Sequence, residues 1–554
     1  MRSTTEEEVC VFCHAPHRAR SDIPYLWNRE DSTANYQTYD SSTLRAAPGQ
    51  PSGASKLCLS CHDGTIALGA VWNRTEEIPF VGDIRLMPDG KSKLGTDLSD
   101  DHPVSIVYQK SAQPRTQSTS SASRFESTRR PGQKLAPAEL RPRSTLPSEI
   151  QIDPSGQIQC TSCHDPHEDI NGSFLVLPQQ RSTLCLACHE PLKWEMSSHA
   201  ISSAKWNGAP PSPWAGSRFP TVAANGCESC HRSHAAGSPQ RLLNYRSEED
   251  NCLACHNGNV AAQDISRELT KMSSHPVQNF LGLHDPTERH PGSIAIHVEC
   301  ADCHQSHQVK KGLTTAPSVP DTLGAVPGVS ATGSYLQRVT NAYEICFKCH
   351  ADFNVVRYTS IPRQIPELNT RLEFDLSNPS YHPVEGRGVN RNVPSLLSPY
   401  STNSVIYCTD CHSNDDGRRG GGQGPSGPHG SDYPYLLERN YETRDNTPES
   451  STAYALCYKC HDRDVILDEY RSPFREHKRH VQDERAPCSV CHDPHGINGS
   501  RGTSANNSNL INFDLAVVRP SQKTGLLLFE DMGKARGQCY LTCHGKDHDG
   551  EGYN

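Results

Sequence analysis

No stretch of this 554-residue chain holds 18 consecutive apolar residues, so no segment of it reads as a bilayer-spanning helix. Hydrophobic side chains are scarce, at 34% against roughly 45–50% in ordinary globular chains. A chain of this length would normally divide into several domains, but with so little apolar side chain it cannot enclose conventional cores. The 39 glycines and 41 prolines also work against long regular elements. Some other apolar body must fill the interior. The formal net charge of −9 makes nucleic acid a poor partner and favours cationic partners or surfaces.

What the chain has in abundance is cysteine, and every one of its 24 cysteines is in the same pattern. Cys-x-x-Cys-His is the attachment signature of c-type haem, in which two thiols add to the vinyl groups and the adjoining histidine binds iron. The thiol pairs are Cys10 and Cys13, Cys58 and Cys61, Cys160 and Cys163, Cys185 and Cys188, Cys227 and Cys230, Cys252 and Cys255. They continue with Cys300 and Cys303, Cys346 and Cys349, Cys408 and Cys411, Cys457 and Cys460, Cys488 and Cys491, Cys539 and Cys543. The motif histidines are His14, His62, His164, His189, His231, His256, His304, His350, His412, His461, His492 and His544. Zinc knuckles also use Cys-x-x-Cys, but zinc does not call for a histidine after every second cysteine. A disulfide framework fails for the same reason. The pattern predicts 12 covalent haem c groups, whose macrocycles supply the missing core.

The sites come in six pairs. Two pairs have first cysteines 25 residues apart and the other four 46 to 51 apart. The expected organisation is six dihaem repeats, at 1–104, 159–200, 201–276, 277–384, 385–481 and 482–554, with 105–158 as a Ser-, Arg- and Pro-rich linker or docking arm that includes Arg124, Arg129, Arg130, Arg141 and Arg143. The expected fold is mostly irregular coil with short α-helices wrapped around a chain of haems, and little β-sheet. Trp27, Tyr36 and Tyr39 are expected to pad the macrocycle edges. The fifth repeat has Asp415 where a ligand would stand, followed by a flexible glycine run, 417–430. The last site has three residues between its thiols, which a bulged turn would accommodate.

Sixteen histidines lie outside the motifs, which is 28 minus 12. His17, His167, His234, His307 and His495 follow a motif histidine by three residues, too close to reach the opposite face of the same haem but able to reach the iron of a neighbour. His102, His199, His275, His382, His429, His480 and His548 follow at longer range, giving one distal ligand per haem. His284, His290, His297 and His477 are left over, as surface or propionate-contacting residues or as substitutes for a misassigned ligand. Methionine ligation is not expected, because Met87, Met196, Met272 and Met532 show no regular relation to the motifs.

The unit Cys160-Thr-Ser-Cys163-His164-Asp-Pro-His167 followed by Cys185-Leu-Ala-Cys188-His189 resembles the doubled motif of bacterial multihaem cytochromes. The chain as a whole is similar to the large extracellular cytochromes of metal-reducing bacteria, some of which polymerise into haem-wired filaments. The resemblance implies a continuous haem chain with alternating slipped-parallel and T-shaped contacts, and distal histidines drawn from beside other haems. The fifth repeat and the Cys539–Cys543 spacing depart from the pattern. With both axial positions filled, iron can only cycle between ferric and ferrous. The expected function is therefore electron conduction, with no catalytic residues. Expected partners are other redox proteins, further copies of the chain in a homopolymer, or extracellular acceptors such as metal oxides. A porin-associated conduit, a monomeric shuttle and a terminal metal reductase are the alternatives. An enzyme acting on nitrite or hydroxylamine would need an open haem, often marked by lysine in place of the motif histidine, and no motif has one. Thioether attachment places the chain outside the cytoplasm, at the cell surface, beyond it or in the periplasm. The segment after Met1 is rich in Ser, Thr and Glu, so an export signal is expected to have been removed or to lie upstream.

Overall fold

The computed structural model describes residues 2–108, 139–214, 217–279, 297–352 and 361–553. They divide into two compact units, separated in the sequence between Cys255 and His256. Irregular backbone dominates both. Among the described residues the longest helices are Gly53–His62 and Tyr343–His350, and each is built on a motif. Apolar side chains gather in small clusters rather than in one core, as the composition requires.

In the first unit, Tyr36, Leu59 and Leu98 form one cluster and Tyr39, Ala236 and Leu242 another. Trp27 is buried as well. Of the expected linker, 109–138, with Arg124, Arg129 and Arg130, lies outside the described residues. Its two ends are built into the fold. Ile106–Val107 pairs antiparallel with Gln157–Ile158, and the Tyr108 hydroxyl donates to the Arg141 carbonyl at 2.6 Å. The Arg141 guanidinium in turn donates to the Leu186 carbonyl at 2.8 Å.

The second unit holds the larger clusters, around Phe347 with Phe374, and around Val490 with Phe513. Its glycine run is pinned rather than loose. Lys271 pairs with Asp415 at 2.7 Å and donates to Asn414, and Asn414 donates to the Pro425 carbonyl at 2.8 Å. A Cβ on Gly430 would fall 1.8 Å from the Glu268 carbonyl oxygen, so only glycine permits this approach. A three-stranded antiparallel sheet, Leu528–Asp531, Gly537–Cys543 and Lys546–Tyr553, is the largest among the described residues.

Candidate haem sites

The first eleven motifs begin in a helical turn, because Cys-x-x-Cys brings two thiols to one side only when the backbone coils. These turns include Val9–Phe12, Cys160–Ser162, Thr183–Leu186, Gly226–Ser229, Cys300–Cys303, Cys408–Asp410 and Cys488–Cys491. Several carry their own cap. The residue before the second cysteine (Ser162, Asp302 or Asp410) accepts the N–H of the residue before the first cysteine. Each turn closes with the motif histidine N–H on the carbonyl of the first cysteine, as from His14 to Cys10 at 2.8 Å and from His412 to Cys408 at 2.9 Å.

The imidazoles are then aimed by their Nδ1 atoms. At five first-of-pair sites the motif histidine donates Nδ1–H to a backbone carbonyl: His14 to Tyr25, His164 to Ser173, His231 to Arg241, His412 to Tyr435 and His492 to Asn509, all at 2.7–2.9 Å. Each accepting residue and the one after it have positive φ, from 52° to 72°, and none is glycine. Two consecutive left-handed residues cost about 1–2 kcal/mol each. Their recurrence at five sites marks a built feature: the strained turn presents a carbonyl to the imidazole. With Nδ1 occupied, Nε2 is left for a metal. Burial also lowers His164 and His492, and pushes His412 and the second-of-pair His461 down to about 4, with desolvation the largest cause in each.

Imidazoles also meet in pairs. His14 faces His167 at a centroid distance of 6.1 Å, His189 faces His102 at 6.2 Å and His164 faces His234 at 6.2 Å. His350 faces His275 at 6.3 Å, His304 faces His429 at 6.1 Å, His461 faces His382 at 6.5 Å and His412 faces His495 at 6.0 Å. Metal–nitrogen bonds of about 2 Å on either side, plus about 1.1 Å from nitrogen to ring centre, put two axial imidazoles about 6.3 Å apart. The pairs are spaced for one iron between them, not for direct stacking. Among the described residues no group of three or more metal-binding side chains could hold a bare ion. The residues therefore fit haem, with the thiols as thioether positions and the ring pairs as axial positions.

A rule runs through these pairings. A first-of-pair site draws its partner from the following repeat: His14 takes His167, His164 takes His234, His304 takes His429 and His412 takes His495. A second-of-pair site draws from the preceding repeat: His189 takes His102, His350 takes His275 and His461 takes His382. The last three partners all stand in a His-Pro-Val triplet, at 102–104, 275–277 and 382–384. That signal was present in the sequence. His429, from the fifth repeat, stands opposite His304 as His167, His234 and His495 stand opposite theirs. His477, left over by spacing, faces His492 at 6.3 Å, an exception to the rule, since this first-of-pair site takes its partner from the preceding repeat. His480 and His548, both expected as distal ligands, face one another at 6.3 Å. His17 is exposed, while His199, His297 and His307 are half-buried; His284 and His290 lie outside the described residues.

The thiols stand in for haem edges, and their contacts alternate. Within the first unit, Cys13 interacts with Cys61, Cys163 with Cys188 and Cys230 with Cys255, joining second cysteines inside a repeat. Between repeats, first cysteines meet, and Cys58 hydrogen-bonds Cys160 as Cys185 does Cys227. The second unit repeats the scheme, with Cys303 beside Cys349 and Cys411 beside Cys460 inside repeats, and Cys346 on Cys408 and Cys457 on Cys488 between them.

The last site differs from the expected bulged turn. Cys539 and Cys543 lie on a β-strand, and the chain reverses at His544-Gly545. The extra residue lengthens the motif beyond one helical turn, and the strand Lys546–Tyr553 pairs with it instead.

Two comparisons bear on this arrangement. A family model described as the doubled CXXCH motif matches residues 153–193, 220–261 and 398–465. The chain is also 26% identical over 217 residues to the multiheme cytochrome MtrA of Shewanella baltica (strain OS185), a match covering 36% of this chain and 57% of that protein. The chain thus spans little more than half the length of this relative. Among the described residues no helix is long and apolar enough to cross a membrane. The recurring motifs, the paired imidazoles and both comparisons support a multihaem c-type cytochrome.

Proposed function

We propose that the chain is a dodecahaem conductor, carrying electrons along its six repeats outside the cytoplasm, with the ring pairs supplying the distal ligands of the sites at which they occur. The alternation of thiol contacts carries this reading. Within each unit successive attachment sites adjoin one another, which supports a relay running in chain order through that unit. Haem iron supplies the one-electron couple, and two neutral imidazoles set it toward low potential. The protein's part is to hold the sites close, block both axial faces and exclude substrate. Electrons would leave to another redox protein, to a further copy of the chain in a filament, or to a metal oxide.

Intact mass tests the count. The purified protein should exceed its 61.0 kDa polypeptide by 12 haems; a shortfall of one would end the dodecahaem count and point first to the Cys539–Cys543 site. Ligand assignment is tested by His167→Ala, which should convert the haem at Cys10 and Cys13 to high spin and leave the one at Cys160 and Cys163 unchanged. Haem-resolved NMR or Mössbauer spectra of the variant distinguish the two. Loss of low-spin character at the Cys160 site would overturn the pairing.

A further inference from the structure

We infer that the terminal haem is ligated by His480 and His548, and that its own motif histidine, His544, is not an iron ligand. The inference rests on haem being attached at Cys539 and Cys543.

Three observations carry it. His544 (φ 48°) and Gly545 (φ 79°) form the tip of the hairpin between Gly537–Cys543 and Lys546–Tyr553. Two left-handed residues at the centre of a two-residue loop are what a type I′ turn requires. The backbone therefore turns away at the very point where the other motifs coil to bring histidine under the ring. Second, the nitrogen is already used. Eight other motif imidazoles are anchored through Nδ1, but His544 points Nε2 at Asp445, 2.9 Å and 3.0 Å from its two carboxylate oxygens. A charge-assisted bond at that atom competes with iron directly.

Third, a complete ligand pair stands nearby without it. His548 is opposite Leu541 across the hairpin, between the two thiols in register. Its ring faces His480 at 6.3 Å, the same spacing as the other pairs. His480 donates Nδ1–H to the Glu476 carbonyl at 2.9 Å, and His548 Nδ1 is 3.1 Å from Glu551. Both keep Nε2 for the metal. Cys539 and Cys543 pack with Cys491 against Val490, Phe513 and Leu541, so the thiols adjoin the eleventh site. His480 also obeys the pairing rule, since a second-of-pair site draws its partner from the preceding repeat.

The test uses the full-length holoprotein. His548→Met keeps an axial donor but should introduce a methionine–iron charge-transfer band at about one-twelfth of the haem, with a raised potential for that haem. His544→Gln should leave every haem low-spin. If His548→Met is spectrally silent and His544→Gln yields a high-spin haem that binds carbon monoxide, the motif histidine is the ligand and the inference is wrong. Intact mass separates the premises: a parent protein lacking one haem, traced to an unmodified Cys539–Cys543 peptide, fails the attachment on which both readings stand. Twelve haems with a silent His548→Met fails the ligand assignment alone.

Discussion

Glu373→Gln should raise the midpoint potential of the haem at Cys408 and Cys411, and Asp101→Asn should do the same for the haem at Cys160 and Cys163. At these two sites a buried carboxylate stands behind the partner imidazole. His495 donates Nδ1–H to Glu373 at 2.9 Å, and His234 donates to Asp101 at 2.9 Å, whereas His275 rests on a backbone carbonyl. Both carboxylates are buried, Glu373 at 8% and Asp101 at 5% exposure. Burial alone would depress the His495 imidazole, but the Glu373 charge and hydrogen bond outweigh it and hold it up at about 9. A carboxylate there gives the imidazole more anionic character, which favours ferric over ferrous iron. Loss of such an outer partner typically changes metal affinity about 10- to 100-fold. If that change falls mainly on the ferric state, each tenfold is about 59 mV for one electron, so a rise of about 60–120 mV is expected. Glutamine and asparagine still accept the imidazole N–H, so ligation stays low-spin and only the charge is removed. Spectroelectrochemical titration should show one haem moving upward in each variant, and superimposable curves would refute the effect.

The largest structural loss is expected from Arg29→Ala. Arg29 is fully buried and lies between the two motifs of the first repeat. Its guanidinium donates to the Leu68 carbonyl at 2.8 Å, to the Ala67 and Ser60 carbonyls at 3.0 Å and 3.1 Å, and to Ser60 Oγ at 3.2 Å. It thereby ties the loop after His14 to the helix Gly53–His62 and the loop beyond. Truncation leaves three carbonyls short of a donor, at about 1–3 kcal/mol apiece before water relieves any of them. A net loss of about 3–5 kcal/mol is the expected result. Because haems pin the repeats covalently, the loss should appear as early local melting. Limited proteolysis should cut the variant within residues 14–72 at temperatures where the parent resists, and Arg29→Lys should fall between them. Equal resistance in all three would show that the clamp contributes little.

Attachment chemistry was legible in the sequence because it is local: thiols and imidazole must lie within one turn, and spacing reports that directly. The sparse helices followed from composition in the same way. Axial pairing was not legible, because it depends on which repeats lie side by side. His477 shows why. It stands three residues before His480 on the same helical face, yet the two rings serve different partners, His492 and His548. Spacing from a motif could not separate them. The left-handed turns were hidden for another reason. Tyr25-Leu26, Arg241-Leu242 and Tyr435-Leu436 contain none of the glycine or asparagine that normally announces positive φ. Their conformation is imposed by the imidazole and by the bridge that follows, such as His14 with Trp27 or His412 with Leu437. At the carboxyl end, the third residue between the thiols was visible, but its consequence, a strand in place of a turn, was not.

The reciprocal exchange of imidazoles between repeats has a consequence for how such a protein can be made. On the proposed ligation, none of the ring-paired sites is completed within its own repeat. A chain threading out of a membrane amino end first would hold the haems of His14, His164, His304 and His412 short of a ligand until the next repeat had emerged and lent its histidine. Maturation would then advance as a zipper, each new segment closing a site behind it and opening one ahead. A cut between the first two repeats would uncap one iron on either side, those of His14 and His189, so the shortest piece with saturated coordination is longer than the unit that the sequence repeats.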